Sequence, residues 1–104
     1  MKKMENEEEL NLFLQKNWNK TAIIKFSAQW CPPCHKLQEN LSLLEIENIN
    51  LAILEIDVDK FPQLVKNLHF EVSSLPTLFL FRPFETKIGL QSLVQLREWI
   101  KNKN

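Results

Sequence analysis

The amino-acid sequence predicts a single α/β domain, with a central mixed sheet of four or five strands flanked by helices on both faces. The chain has 104 residues, which is long enough for one domain and too short for two. Short apolar segments rich in β-branched residues alternate with segments in which apolar residues recur every three or four positions. This alternation predicts parallel strands joined by right-handed helical crossovers, and two successive strands near the end predict an antiparallel edge.

The first half of the chain predicts a helix, a strand and a second helix. Over residues 7–18, apolar residues up to Trp18 form one helical face, and the acidic start suits the positive end of the helix dipole. Thr21–Ser27 is short, β-branched and apolar apart from one lysine, as expected of a strand covered on both faces. After Cys31, leucines recur at helical spacing to about Glu45, behind a proline pair that suits a first turn. The cysteines are therefore expected to open a helix.

The second half of the chain predicts three strands and two helices. Leu51–Asp57 is expected to form a strand, and residues 62–68 a helix that begins with proline. The apolar residues 77–81 predict another strand, residues 86–88 a short one, and Ser92 is a suitable N-cap for a final helix.

Charge and hydropathy exclude several classes of function. Hydrophobic residues make up 44% of the chain, as in globular proteins, and 13 Lys and Arg balance 13 Asp and Glu. A net charge of zero provides no field to attract nucleic acid or an anionic membrane. No apolar stretch approaches the roughly 20 residues of a membrane span, and the acidic start is unlike a secretory signal. We therefore expect a cytoplasmic monomer.

The two cysteines, Cys31 and Cys34, have the spacing of a redox pair. A disulfide across so short a loop stabilises a fold by only about 2 kcal/mol, so a structural role is not favoured. Helical residues three apart have Cβ atoms about 5 to 6 Å apart, and disulfides need Cα separations of about 4.4 to 6.8 Å. The pair can therefore close and reopen without moving the backbone.

The expected helix start gives the two sulfurs different roles. Cys31 faces the positive end of the helix dipole, which lowers the pKa of its thiol, so it is the expected attacking thiolate. Cys34 lies one turn inside the helix and is the expected resolving thiol. Pro32 and Pro33 have no N–H to donate to the Cys31 thiolate, which leaves Cys34 as a candidate donor.

Metal binding is the alternative chemistry for a close cysteine pair. Zinc needs four ligands, and only His35 and His69 remain to complete a site with the two cysteines. The histidines lie in separate segments of the chain, so we expect no metal site and no cofactor.

Three segments in this order resemble the thioredoxin family: residues 26–34 (Phe-Ser-Ala-Gln-Trp-Cys-Pro-Pro-Cys), 55–59 (Glu-Ile-Asp-Val-Asp) and 75–77 (Leu-Pro-Thr). The resemblance runs from about residue 7 to the C-terminus. It implies the thioredoxin fold and a thiol–disulfide oxidoreductase that reduces protein disulfides through its Cys-Pro-Pro-Cys loop. It also suggests an NADPH-dependent thioredoxin reductase as the partner that regenerates the dithiol.

The resemblance further implies a substrate-binding surface. Pro76 takes the position of the family's cis-proline, facing the cysteines, and the adjoining backbone of Leu75 is expected to pair with an extended substrate segment. Trp30 is expected to flank the active sulfur and Gly89 to allow close approach of a substrate backbone. Pro33 belongs to the same surface.

Lys25 and Glu55 depart from the family pattern. Lys25 stands where many members keep a buried aspartate, and Glu55 falls near a position where many carry a lysine. We expect a charge-swapped pair beneath Cys34, in which Glu55, or a water on it, is the base for the resolving thiol. The alternative is that Lys25 extends its ammonium group to solvent.

A second departure is that no clear initial strand precedes Glu7. The sheet is expected to have four strands if none forms there.

Two other functions remain open on the sequence. The same dithiol suits a thiol oxidase or a disulfide isomerase, which differ from a reductase in the potential of the couple. A non-catalytic binding module would instead use the groove around Trp30, Pro76 and Gly89 to recruit a partner.

Overall fold

The computed structural model describes residues 1–68, 71–81, 84–101 and 103. Its helices and strands, in chain order, are β1 (Lys2–Lys3), α1 (Glu8–Lys16), β2 (Thr21–Ser27), α2 (Pro32–Glu47), β3 (Leu51–Asp57), α3 (Pro62–Lys66), β4 (Thr77–Leu80), β5 (Glu85–Ile88) and α4 (Leu93–Ile100).

The sheet has five strands in the order β1-β3-β2-β4-β5. The strand β3 pairs in parallel with both β1 and β2. The strand β4 runs antiparallel to β2, and β5 runs antiparallel to β4. The predicted mixed sheet, with a parallel core and an antiparallel edge, is confirmed.

The initial strand β1 exists, so the sheet has five strands, the larger of the two expected numbers. Sequence patterning missed it because two lysines show neither alternation nor apolar character. Its position is fixed just beyond its end, where the Met4 amide donates to the Glu55 carbonyl at 2.8 Å and the Met4 side chain is buried. One buried methionine therefore holds an exposed strand to the edge of the sheet.

The first helix is shorter than predicted. It ends at Lys16, and the Asn17 side chain donates to the Phe13 carbonyl at 2.8 Å, which satisfies an acceptor at the helix C-terminus. Trp18 therefore leaves the helical face on which its spacing placed it and is 65% exposed.

Alternation along β2 separates two hydrophobic clusters on opposite faces of the sheet. Ile23 packs with the buried leucines of α2 and with α4, whereas Ile24 and Phe26 pack with Phe13 of α1. The helices therefore cover both faces, as predicted. Lys25 occupies an odd-numbered position of β2 and so lies on the face that α2 covers.

Removing a buried leucine of α2 should destabilise the fold. Leu41 is fully buried against the sheet, so Leu41→Ala should lower the free energy of unfolding by about 2 to 5 kcal/mol. Leu43 on the same helix is exposed, and Leu43→Ala should change it by less than about 0.5 kcal/mol. Urea unfolding of both disulfide-bonded variants measures the difference, and equal losses would contradict this packing.

Candidate active site

The cysteine loop is the N-terminus of α2. Cys31 has an extended backbone and is the N-cap, and its Sγ accepts a hydrogen bond from the Cys34 amide at 3.3 Å. Pro32 and Pro33 occupy the first turn of α2. Backbone N–H groups there have no acceptor within the helix, so the two prolines cost no helical hydrogen bond. The predicted start of the helix at the cysteines is confirmed, and of the two candidate donors of Cys34 the amide makes this bond in the disulfide state.

Cys31 and Cys34 form a disulfide with Cα atoms 5.3 Å apart. Both residues are nearly inaccessible in this state, at 3% and 1% exposure. Cys31 is thus less reachable than its position at a helix end predicted, because it packs with Ala28 and Cys34 and against Leu75 and Val58. A partner has to approach the sulfurs from the solvent side of this apolar cluster.

The segment before β4 faces the cysteines. The Leu75–Pro76 peptide bond is cis, as the family resemblance implied, and Leu75 packs against the cluster that contains the disulfide. The Pro76 carbonyl accepts a hydrogen bond from the Gly89 amide at 2.8 Å. Gly89 has φ of 89°, a left-handed conformation that favours glycine. The fold therefore brings Gly89, which is distant in sequence, next to Leu75 and Pro76 at one edge of the site.

Trp30 lies beside the cysteines with 67% of its surface exposed. Its indole Nε1 donates to Asp59 Oδ2 at 2.7 Å, which ties it to the loop after β3. That loop is held by Asp57, whose Oδ1 accepts from the Asp59 amide at 2.9 Å. Sequence reasoning missed Asp59 as the partner of Trp30, although Asp59 closes the second family-like segment. Pro33 is exposed on the same helix start.

Lys25 and Glu55 form a buried ion pair beneath Cys34. Lys25 has no exposed surface, and its Nζ lies 2.9 Å from Glu55 Oε2. The same ammonium donates to the Cys34 carbonyl oxygen at 2.8 Å. The predicted pairing is confirmed, and the alternative in which Lys25 reaches solvent is wrong.

The order of the groups differs from the simplest form of the hypothesis. Lys25, not Glu55, contacts Cys34, so the carboxylate lies one hydrogen bond further away. Sequence reasoning also missed Ser27, whose Oγ donates to Glu55 Oε2 at 2.8 Å. The signal for it was period-two alternation, since Ser27 lies two residues from Lys25 on the same face of β2.

Opposing effects set the pKa of Glu55. Burial acts to raise the pKa, but hydrogen bonds from Lys25 and Ser27, with the positive charges of Lys25 and Lys3, outweigh it and lower the pKa below its usual value. Glu55 is therefore a carboxylate at neutral pH although only 9% of its surface is exposed.

Within the described residues, no group of three or more His, Cys, Asp or Glu side chains is placed to hold a metal. His35 instead has its Nε2 2.7 Å from the Gln29 carbonyl. His69, the other histidine of the zinc alternative, lies outside the described residues. Across the same described ranges, no helix has the length and apolar character of a membrane span.

Comparisons with known proteins agree on one family. A family model described as Thioredoxin matches residues 2–102. The chain is 38% identical over 80 residues to a thioredoxin of Chlamydia trachomatis, and the match covers 71% of this chain and 76% of that protein. It is 28% identical over 82 residues to thioredoxin domain-containing protein 8 of Mus musculus, with 79% of this chain covered but only 63% of that relative. The crystal structure of oxidised mitochondrial thioredoxin 3 from Saccharomyces cerevisiae is similar with a TM-score of 0.81 and 27% identity, covering 98% of this chain and 94% of that one.

Breaking the buried ion pair should be costly, and the loss should depend on pH. Lys25→Met leaves the Glu55 charge buried without a counter-charge, so the free energy of unfolding at neutral pH should fall by about 3 to 5 kcal/mol. Because the pKa of Glu55 is lowered in the folded protein, the stability that the pair contributes is present above the ordinary carboxyl range and is lost as the pH falls.

The stability difference between wild type and Lys25→Met should therefore shrink on acidification. Urea unfolding of the disulfide-bonded protein at several pH values measures it. Lys36→Met, at an exposed position of α2, is the control and should have little effect. A difference that stayed constant with pH would contradict the ion pair.

Proposed function

The chain belongs to the thioredoxin family, and on that premise we propose which of its residues carry out the reduction of protein disulfides. The protein is a thiol–disulfide oxidoreductase, and more specifically a protein-disulfide reductase. The observation that carries this conclusion is the Cys31–Cys34 disulfide at the head of α2. The residue roles below are inferred from the contacts around that disulfide.

The first step uses the reduced protein. Cys31 Sγ, as a thiolate at the N-terminus of α2, attacks one sulfur of a substrate disulfide. A bond forms between Cys31 and that sulfur, the substrate S–S bond breaks, and the second substrate sulfur leaves as a thiolate. The Cys34 amide supports the Cys31 thiolate, since it already donates to Cys31 Sγ in the oxidised protein.

The second step closes the disulfide that the structure contains. The Cys34 thiol loses its proton, and its Sγ attacks Cys31 Sγ. The bond between Cys31 and the substrate breaks, and the substrate sulfur leaves as a thiolate, which then takes up a proton. Two electrons have then passed from the protein dithiol to the substrate disulfide. Glu55 is the base that takes the Cys34 proton, directly or through a water molecule, and Lys25 holds that carboxylate beneath Cys34.

The proposed substrate surface combines residues from three parts of the chain near the disulfide. Leu75, before cis-Pro76, offers its backbone to an extended substrate segment, and the left-handed Gly89 next to Pro76 leaves its Cα side open. Trp30 and Pro33 are exposed on either side of Cys31 in the sequence and contribute to the same surface. A surface of this kind favours protein segments over small disulfides, because a peptide can contact all three parts.

Regeneration requires an external reductant. We propose an NADPH-dependent thioredoxin reductase, and that the protein acts as a cytoplasmic monomer formed of one domain over residues 1–104. Family membership supports the reductase, and the match of residues 2–102 to one family model supports the single domain. The oxidase and isomerase alternatives are not favoured because relatives such as those of Chlamydia trachomatis and Saccharomyces cerevisiae are thioredoxins. The non-catalytic binding module is not favoured because the two cysteines form a disulfide.

Substitution of each cysteine separates the two steps. With NADPH and a thioredoxin reductase, wild-type protein should reduce insulin, and Cys31→Ser should abolish the reaction because the attacking sulfur is gone. Cys34→Ser should instead accumulate a stable mixed disulfide with insulin, seen by mass spectrometry, because the resolving sulfur is missing. Insulin reduction by Cys31→Ser at the wild-type rate would remove Cys31 from its role.

The Glu55 base is tested on the second step alone. Glu55→Gln should slow release of a mixed disulfide preformed on Cys31 by about 100-fold at neutral pH, as expected for loss of a general base. Stopped-flow fluorescence with a labelled peptide leaving group measures the rate. Glu98→Gln, at an exposed position of α4, is the matched control. A wild-type release rate in Glu55→Gln would rule out Glu55 as the base.

A further inference from the structure

The hydroxyl of Ser27 has no part in the reaction as described so far. Ser27 is buried at the end of β2, and its hydroxyl donates to the carboxylate of Glu55 at 2.8 Å. We propose that Ser27 is a positioning residue for the resolving step, which fixes the Glu55 carboxylate so that one of its oxygens stays available to take the Cys34 proton. This inference rests on the proposed role of Glu55 as the base.

The sheet register places the three side chains together. In the parallel pair of β2 and β3, Lys25 is opposite Glu55, and Ser27 is opposite Asp57. Side chains two residues apart on a strand share a face. Glu55 therefore has Lys25 directly beside it and Ser27 as its diagonal neighbour on the same face. The contact is therefore a consequence of backbone pairing, and all three side chains face α2, which carries Cys34.

Both donors use the same carboxylate oxygen. Lys25 Nζ lies 2.9 Å from Glu55 Oε2 and Ser27 Oγ lies 2.8 Å from it. Two donors on Oε2 restrict rotation of the carboxylate and leave Oε1 as the oxygen that can take up a proton. Without Ser27, Lys25 alone would hold the group, and the carboxylate could turn about the axis of that single bond.

The Ser27 hydrogen bond also lowers the proton affinity of the Glu55 carboxylate. The charged and titratable groups that face Glu55 are Lys3 on β1, Lys25 on β2, Cys34 on α2 and Asp57 along β3. Hydrogen bonds to a carboxylate favour its ionised form, and that of Ser27 is one of the causes that lower the pKa of Glu55. Loss of the hydroxyl would therefore raise that pKa. As the pH is lowered, Glu55 would then become protonated, and cease to act as a base, at a higher pH than in the wild type.

The experiment measures release of the preformed mixed disulfide from acidic to neutral pH. Thr and Val have nearly the same shape, so Ser27→Thr and Ser27→Val are a matched pair that differs in the hydroxyl. Ser27→Val should release the substrate about fivefold more slowly than Ser27→Thr at neutral pH, the effect of one hydrogen bond on the orientation of Glu55. The difference should widen toward acidic pH, because Glu55 becomes protonated at a higher pH in Ser27→Val. Ser27→Ala, which adds no bulk to the buried site, should behave like Ser27→Val.

The pH profile distinguishes positioning from a purely structural role. A merely structural hydroxyl would slow release by the same factor at every pH, and that result, or equal profiles for Ser27→Thr and Ser27→Val, would overturn the inference. In a Glu55→Gln background, Ser27→Ala should no longer change the profile, because the group it acts through is gone.

The same measurements separate this inference from the proposed function. If Glu55→Gln releases substrate at the wild-type rate, the proposed base is wrong. If Glu55→Gln is slow but Ser27→Ala keeps the wild-type profile, only the role of Ser27 is overturned.

Discussion

The Lys25 ammonium group joins the sheet to the helix that carries the cysteines. It extends from the middle of β2, pairs with Glu55 on β3, and donates to the backbone carbonyl of Cys34 on α2. A buried charge is tolerated only when its hydrogen-bonding groups find partners, so these contacts restrict where α2 lies on the sheet. The position of Cys34, and through it the disulfide, is tied to an interaction at the centre of the molecule.

The same pair keeps the proposed base, Glu55, in its charged form. An isolated buried carboxylate would be pushed toward its neutral form, which cannot act as a base. Here two donors keep Glu55 ionised despite its burial. The proposed base is therefore ionised in a largely buried environment, where a nearby thiol is otherwise reluctant to lose its proton. Replacing both members of a buried ion pair with apolar residues often costs no stability, so the proposed reactive use is a physical reason for keeping the pair here.

The residues around the disulfide come from separate parts of the chain. The loop after β3 holds Trp30 through Asp59, and the segment before β4 presents Leu75 and cis-Pro76. Gly89, after β5, is attached to Pro76 by one backbone hydrogen bond. The scaffold fixes these residues relative to the sulfurs, so the proposed substrate surface is already formed, which reduces the ordering needed on binding.

Local chemistry was enough to predict much of this protein. The disulfide pairing of Cys31 and Cys34 follows from their spacing, the helix start beside them from the prolines between them, and the strand Thr21–Ser27 from its composition, because these signals act within a few residues. Tertiary structure alone decided the rest. Two exposed lysines became a strand because Met4 is buried beside them. Ser27 met Glu55, 28 positions away in sequence, because the register of β2 and β3 made them diagonal neighbours on one face of the sheet. Such contacts depend on which strands pair and in which register. The free energy that selects a register is summed over the whole sheet and its packed helices, so no short segment of the sequence determines the register.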